Sequence, residues 1–119
     1  MPSTAKTEAA RERELDRLFR ALGDGTRRAL LARLAQQPAR VTELAEPFKM
    51  SLPAVSRHIR VLERAHLVER RVDGRVHHVS LHPAPLRRVD SWLARYRLFW
   101  EANLDALARY VEGDGKPRR

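Results

Sequence analysis

The stretch from Thr42 to Leu67, TELAEPFKMSLPAVSRHIRVLERAHL, constrains the fold of this chain more than any other. Thr42 reads as a helix N-cap with Glu43 in the first turn, and Val41, Leu44, Ala45 and Phe48 supply the apolar set of a short helix. Pro47 limits that helix, because an interior proline removes a backbone donor and clashes with the preceding turn. Lys49 and Met50 make the turn. Ser51 caps a second helix, with Pro53 in its first turn, where a missing N–H costs little. Val55, His58, Ile59 and Leu62 form its apolar stripe, and Pro53, Ser56, Arg57, Arg60 and Arg64 occupy the other side. The outer face therefore starts small and hydroxyl-bearing and then turns basic.

The flanks suit this pair of helices. Upstream, Leu15, Leu18, Phe19 and Leu22 recur at helical spacing from a start near Glu8, and Gly23 supplies the stop. Asp24 caps a helix that turns Leu30, Leu31 and Leu34 inward, with Arg27, Arg28 and Arg33 facing elsewhere, and Gln36, Gln37 and Pro38 end it. Downstream, LVERRVDGRVHHVSL reads as a hairpin about Asp73-Gly74, which pairs Val72 with Arg75, Arg71 with Val76 and Val68 with Val79. After Pro83 and Pro85, a helix runs from about Ala84 to Val111. Leu86, Val89, Leu93, Tyr96, Trp100, Leu104, Leu107 and Val111 keep its period, widened by Trp92, Phe99 and Ala108.

The 119 residues bound the problem to one domain, expected over 10–112 between a flexible tail at 1–9 and a flexible basic tail at 113–119. A net charge of +9 in so short a chain calls for a polyanionic partner, nucleic acid or an anionic membrane surface. The absence of cysteine excludes disulfides and thiolate chemistry. The opening MPSTAKTEAARERE lacks the apolar core of a signal peptide, and no apolar run approaches the roughly 20 residues of a membrane span, so a cytoplasmic location without membrane contact is expected.

A mainly α fold follows: five helices plus a two-stranded wing, the winged helix-turn-helix plan. The major groove is about 12 Å wide and admits one α-helix. Small residues at the start of the second helix permit close approach to base edges, and Arg57 can pair bidentately with a guanine. Arg60 and Arg64 sit where phosphates are the natural targets, and Arg71 and Arg75 would meet the flanking backbone or minor groove. The DNA-binding set expected from the sequence is Thr42, Ser51, Leu52, Pro53, Ser56, Arg57, Arg60, Arg71 and Arg75.

The segments LFRALGDGTRRALLARLAQQP and VTELAEPFKMSLPAVSRHIRVLERAHLVERRVDGRVHHVSL resemble the ArsR family of winged-helix transcriptional regulators, over about residues 14–111. SLPAVSRHIRVLERAHLV and RRVDGR carry the likeness most specifically. The resemblance implies a symmetric homodimer built by the first and last helices, here through Leu15, Leu18, Phe19, Leu93, Tyr96, Trp100, Leu104 and Leu107. It also implies repression from an inverted-repeat operator in double-stranded DNA, often the regulator's own promoter. Metal- and arsenite-sensing members carry cysteines on the third helix or Asp/His/Glu clusters on the last. Here TELAEPF has no thiol, and the last helix offers Asp90 and Glu101 but no histidine. The likeness is to the thiol-free branch, so neither a metal nor a cofactor is expected, and the sequence names no inducer. Gly25 stands where the family often has proline.

His58 reads as a packed histidine with a satisfied hydrogen bond. His77 and His78 are neighbours on a strand and point to opposite faces, which leaves only a weak metal site with His82, and His66 reads as an exposed helix-end residue. Trp92, Tyr96, Phe99 and Trp100 suit dimer packing, or else a small-molecule pocket. A second reading of the whole is a winged helix used only for protein association, its basic face meeting an acidic protein. No nucleophile–base constellation, phosphate-cradling glycine loop or paired-carboxylate cleft supports an enzyme.

Overall fold

The computed structural model of the chain describes residues 4–114. Five helices and three strands follow in the order α1 (Thr4–Leu22), α2 (Gly25–Gln36), β1 (Ala39–Arg40), α3 (Val41–Phe48), α4 (Leu52–Arg64), β2 (Val68–Asp73), β3 (Val76–Leu81) and α5 (Leu86–Asp114). The chain divides into two compact units, one ending at Val89 and one beginning at Asp90, where the sequence reading takes 10–112 as one domain. A lone helix has no interior, so the second unit has no core of its own.

The first unit holds the core. Leu18, Leu30, Leu44, Val55, Ile59, Leu62, Leu67 and Val79 are fully buried. They come from α1 to α4, β3 and the turn before β2, and the first turn of α5 adds Leu86 and Val89 at the rim. The amphipathic periods therefore converge on one interior, and no charged or polar residue is buried among the described residues. Among the same residues no helix is long and apolar enough to cross a membrane.

Local chemistry sets the element ends. The Asp24 carboxylate accepts the Arg27 backbone N–H at 3.1 Å, and Ser51 Oγ accepts that of Ala54 at 3.3 Å. At the start of α3 the cap is Arg40 rather than Thr42. Glu43 Oε1 reaches back to the Arg40 backbone N–H at 2.8 Å and its Nε at 3.2 Å. This is half of a capping box, since arginine has no acceptor with which to complete it. Both carboxyls are held below their ordinary range, Asp24 chiefly by the Arg27 backbone N–H and Glu43 by that of Arg40. Their contribution is present above the unfolded carboxyl pKa and is lost as the pH falls through the depressed folded values.

α4 closes with two bonds, Leu67 N–H to the Leu62 carbonyl at 3.0 Å and His66 N–H to the Glu63 carbonyl at 2.9 Å. This is the Schellman pattern, and it puts exposed His66 in the left-handed region at φ 59°. Gly23 serves α1 differently. A Cβ there would sit 3.1 Å from the Phe19 carbonyl oxygen, so close approach rather than positive φ calls for glycine.

Four features differ from the sequence reading. α1 begins at Thr4, not near Glu8, because TAKTEAA contains good helix formers and no breaker; residues 1–3 and 115–119 of the expected tails lie outside the described residues, and Gly113 ends up inside α5. The sheet has a third strand, in the order β1-β3-β2, with Ala39 opposite Val79 and Arg40 opposite His78. Two residues carry too little pattern to read as a strand. The hairpin turns at Gly74-Arg75, pairing Asp73 with Val76, Val72 with His77 and Arg70 with Val79. Only Gly74 takes positive φ, at 64°, which suits a turn with glycine first. The register moves by two residues and so preserves every side chain's face. Finally, Leu18 is fully buried in the core of the chain itself, which removes it from any surface offered to a second copy, while Phe19 is exposed.

Candidate nucleic-acid interface

α4 presents the side expected of it. Ser51, Leu52, Pro53, Arg57, Arg60 and Arg64 are exposed, Ser56 is half-buried, and Val55, Ile59 and Leu62 point into the core. Neither the Arg57 nor the Arg60 guanidinium has a partner among the described residues. Ser51 Oγ is occupied as an acceptor, but its O–H remains free to donate. Thr42, released from capping, is exposed one residue inside α3. Its hydroxyl makes no hydrogen bond among the described residues.

Several other arginines are committed elsewhere. Arg27, which faces away from the inward leucines of α2, donates from Nε to the Ala21 carbonyl at 2.8 Å and from Nη2 to the Arg20 carbonyl at 2.7 Å. Arg28 donates to the Leu22 carbonyl at 2.7 Å. These guanidiniums cap the orphan carbonyls and the negative end of α1. Arg27 Nη1 also lies 3.3 Å from His58 Nδ1. Arginine can only donate, so His58 accepts there and carries its ring proton on Nε2. The half-buried imidazole thus ties α4 to α2.

Arg70 has a similar structural post, although it stands among the wing arginines in the sequence. It alternates inward with Val68, opposite Val79. Its guanidinium grips Glu63 of α4 with bonds of 2.8 and 3.2 Å and donates to His77 Nδ1 at 3.1 Å. At 17% side-chain exposure it is a strut between the wing and α4. The period-two alternation of VERRV was the signal that could have separated it from Arg71. Replacing Arg70 with Ala should lower stability by about 1–3 kcal/mol, since Glu63 loses charge-assisted bonds. The salt dependence of duplex binding should keep its slope, because Arg70 already faces a carboxylate; urea melts and binding across salt concentrations check both.

Thr42, Leu52, Ser56 and Arg75 come together on one groove between α3, α4 and the hairpin tip. Arg71 is not among them. It pairs with His78 on the other face of the sheet and lines a separate hollow with Glu69 and Ser80. Arg57 and Arg60 stand on the outer side of α4.

Residues 22–71 match the helix-turn-helix domain model. The chain is 41% identical over 103 residues to the HTH-type transcriptional regulator Rv2034 of Mycobacterium tuberculosis, covering 87% of this chain and 94% of that protein. The crystal structure of the ArsR family transcriptional regulator RHA00566 superposes with a TM-score of 0.71 at 41% identity, over 76% of this chain and 93% of the other.

The chain belongs to the ArsR family.

It is a winged helix-turn-helix, DNA-binding transcriptional regulator. The Bacillus subtilis transcriptional repressor SdpR is 27% identical over 69% of this chain and 91% of its own length. A solution structure from Mycobacterium bovis, Mb0332, described as a homodimeric winged helix-turn-helix DNA-binding domain, has a TM-score of 0.64 at 26% identity, over 82% of this chain and 94% of that one. In this ArsR-family chain the third and last helices carry no thiol, and the aromatic face of α5 takes their place as the conspicuous feature. Tyr96, Phe99, Trp100, Leu104, Leu107, Tyr110 and Val111 are all exposed on it. At 100° per residue, these side chains together with Trp92 and Leu93 span an arc of roughly 140°.

Proposed function

We propose that this regulator is a homodimeric repressor that occupies an inverted-repeat operator. The observation that carries the reading is the unpartnered basic ridge of Arg57 and Arg60 on the outer face of α4, beyond small residues that permit close approach. α4 enters the major groove, Arg57 reads a base edge, and Arg60 meets a phosphate. Thr42 and Ser51 donate hydroxyls to the backbone, Leu52 and Pro53 supply apolar contact, Ser56 lines the approach, and Arg71 and Arg75 reach the flanking strand from the two faces of the wing.

A second copy is supported by the apolar arc of α5, which has more exposed aromatic and leucine surface than a monomeric helix keeps in water. On α5 the residues for this contact are Leu93, Tyr96, Trp100, Leu104 and Leu107; on α1 they are exposed Phe19 and half-buried Leu15. The homodimeric Mb0332 lends the same support. A two-fold axis would set the two recognition helices about 34 Å apart, one turn of the duplex. The repressor sense rests on the likeness to SdpR.

Replacing Arg57 with Ala tests the reading. It should cost about 1–3 kcal/mol of discrimination at one base position in each half-site, measured on a panel of duplexes carrying single substitutions. An unchanged sequence preference would remove Arg57 from the base-reading role.

A further inference from the structure

The groove beside α4 holds residues that its sequence does not advertise as part of a nucleic-acid surface. Its volume is about 330 Å³. The first turn of α3, one edge of α4 and the tip of the wing form its walls. Ser56 and Glu63 lie seven residues apart, two helical turns, and so share that edge of α4. Glu63 anchors the Arg70 strut at 2.8 Å, which holds the wing at a set distance from the helix.

Arg40, at the start of α3, and Arg75, at the tip of the wing, both line the groove. Glu43 holds Arg40 at Nε, at 3.2 Å, which leaves both terminal nitrogens without a partner among the described residues. Arg75 has no partner there either. His77 also lines the groove. Its Nδ1 accepts from the Arg70 guanidinium at 3.1 Å, which leaves Nε2 as the ring's one donor. Thr42 and Ser56 bring hydroxyls to the same lining, and Leu52 provides apolar surface.

We propose that this groove cradles one sugar–phosphate unit of the DNA strand that passes between the recognition helix and the wing. Arg40 and Arg75 hold the phosphate, His77 and the hydroxyls donate to its non-bridging oxygens, and Leu52 meets the deoxyribose carbons. The lining is part cationic and part apolar, which matches a sugar–phosphate better than a bare anion. The groove also runs beside the face that carries Arg57 and Arg60, so the strand held here is the one flanking the bases that α4 reads. The assignment rests on the DNA-binding reading and adds Arg40 and His77 to its contacts.

The test uses the full chain and a duplex of about 30 base pairs that it selects from a random library. Each phosphate is replaced in turn by an uncharged methylphosphonate. Wild-type protein should lose about 5–10-fold in affinity at one phosphate per half-site next to the bases read by α4. Arg40→Gln, which keeps the backbone N–H that Glu43 caps, should bind the unmodified duplex about 5–10-fold more weakly and be indifferent to that same methylphosphonate. Its log–log salt slope should fall by about 0.9 for each phosphate that the variant no longer neutralises. His77→Gln, a second variant remote from the α3 cap, should show a smaller loss at the same phosphate. If duplex is bound and Arg40→Gln retains both its slope and the wild-type methylphosphonate pattern, the cradle is overturned while the DNA-binding reading stands. If no duplex is selected or bound, both fall. Saturation of the groove by inorganic phosphate or thymidine monophosphate alone at submillimolar concentration, read by shifts of the Arg40 and His77 resonances, would make it a free-anion site and overturn the cradle.

Discussion

Leu104→Glu combined with Leu107→Glu should convert the protein from a dimer to a monomer and weaken operator binding by about 10²–10⁴-fold. Both leucines are more than half exposed and lie on the apolar arc of α5. Two carboxylates placed there must either be buried unpaired against a second copy or keep that copy away, and separation is the less costly outcome. The loss of affinity is large because it is a loss of avidity. Each half-site alone contributes a weak contact, and linking two of them makes the second binding event intramolecular. Light scattering should report the change in mass, and fluorescence anisotropy the change in affinity. Leu98 provides the sharper control. At 75% it is the most exposed large hydrophobic residue on α5, but it stands about 200° around the helix from Tyr96, off the arc. Leu98→Glu should leave both mass and affinity as they were. A wild-type monomer, or a monomeric double variant that still binds at full strength, would sink the dimer reading.

Leu62→Ala should remove about 2–5 kcal/mol of folding stability. Leu62 is fully buried, belongs to the inward stripe of α4 with Val55 and Ile59, and is the residue whose carbonyl closes the helix onto Leu67. The missing methyl groups leave a cavity where α4 meets the rest of the core, and a well-packed interior relaxes only in part. Domains of this size are stable by only about 5–15 kcal/mol, so this change takes a large fraction of the total. Urea titration should show a lower midpoint at unchanged m-value, since the surface exposed on unfolding stays nearly the same. A loss below about 1 kcal/mol, far under the usual range for such a truncation, would mean that the α4 stripe is not the centre of the core. The same measurement on Arg57→Ala should show almost no change, which separates the face that folds the protein from the face proposed to read DNA.

Much of this division between faces is legible along the chain. Hydrophobic period and capping chemistry act between residues three or four apart, and they place Asp24 and Ser51 at helix starts and Val55, Ile59 and Leu62 inward. The hairpin is legible from VDGR, although its register is not. Two turns one residue apart shift the register by two and preserve the same faces, so the alternating pattern does not distinguish them, and the choice falls to Gly74 at φ 64° and to the pairing of β3 with β1. Thr42 looks like a cap because threonine caps well; Arg40 takes the position because Glu43 can reach back to its N–H.

By itself, the sequence determined the helix-turn-helix, the inward stripes, the basic character of the outer face and the likeness to the ArsR family. All of these arise from local spacing and residue type. Only the tertiary structure decided which cations are free to meet a partner. Arg27 finds carbonyls six and seven residues away and a histidine 31 away, and Arg70 finds Glu63 across the gap between α4 and the wing. It also buried Leu18 and opened the groove that Arg40 and Arg75 line. The reason is that a guanidinium on a long flexible stem takes whichever acceptor the folded backbone brings within about 3 Å, and no periodicity in the chain records that distance.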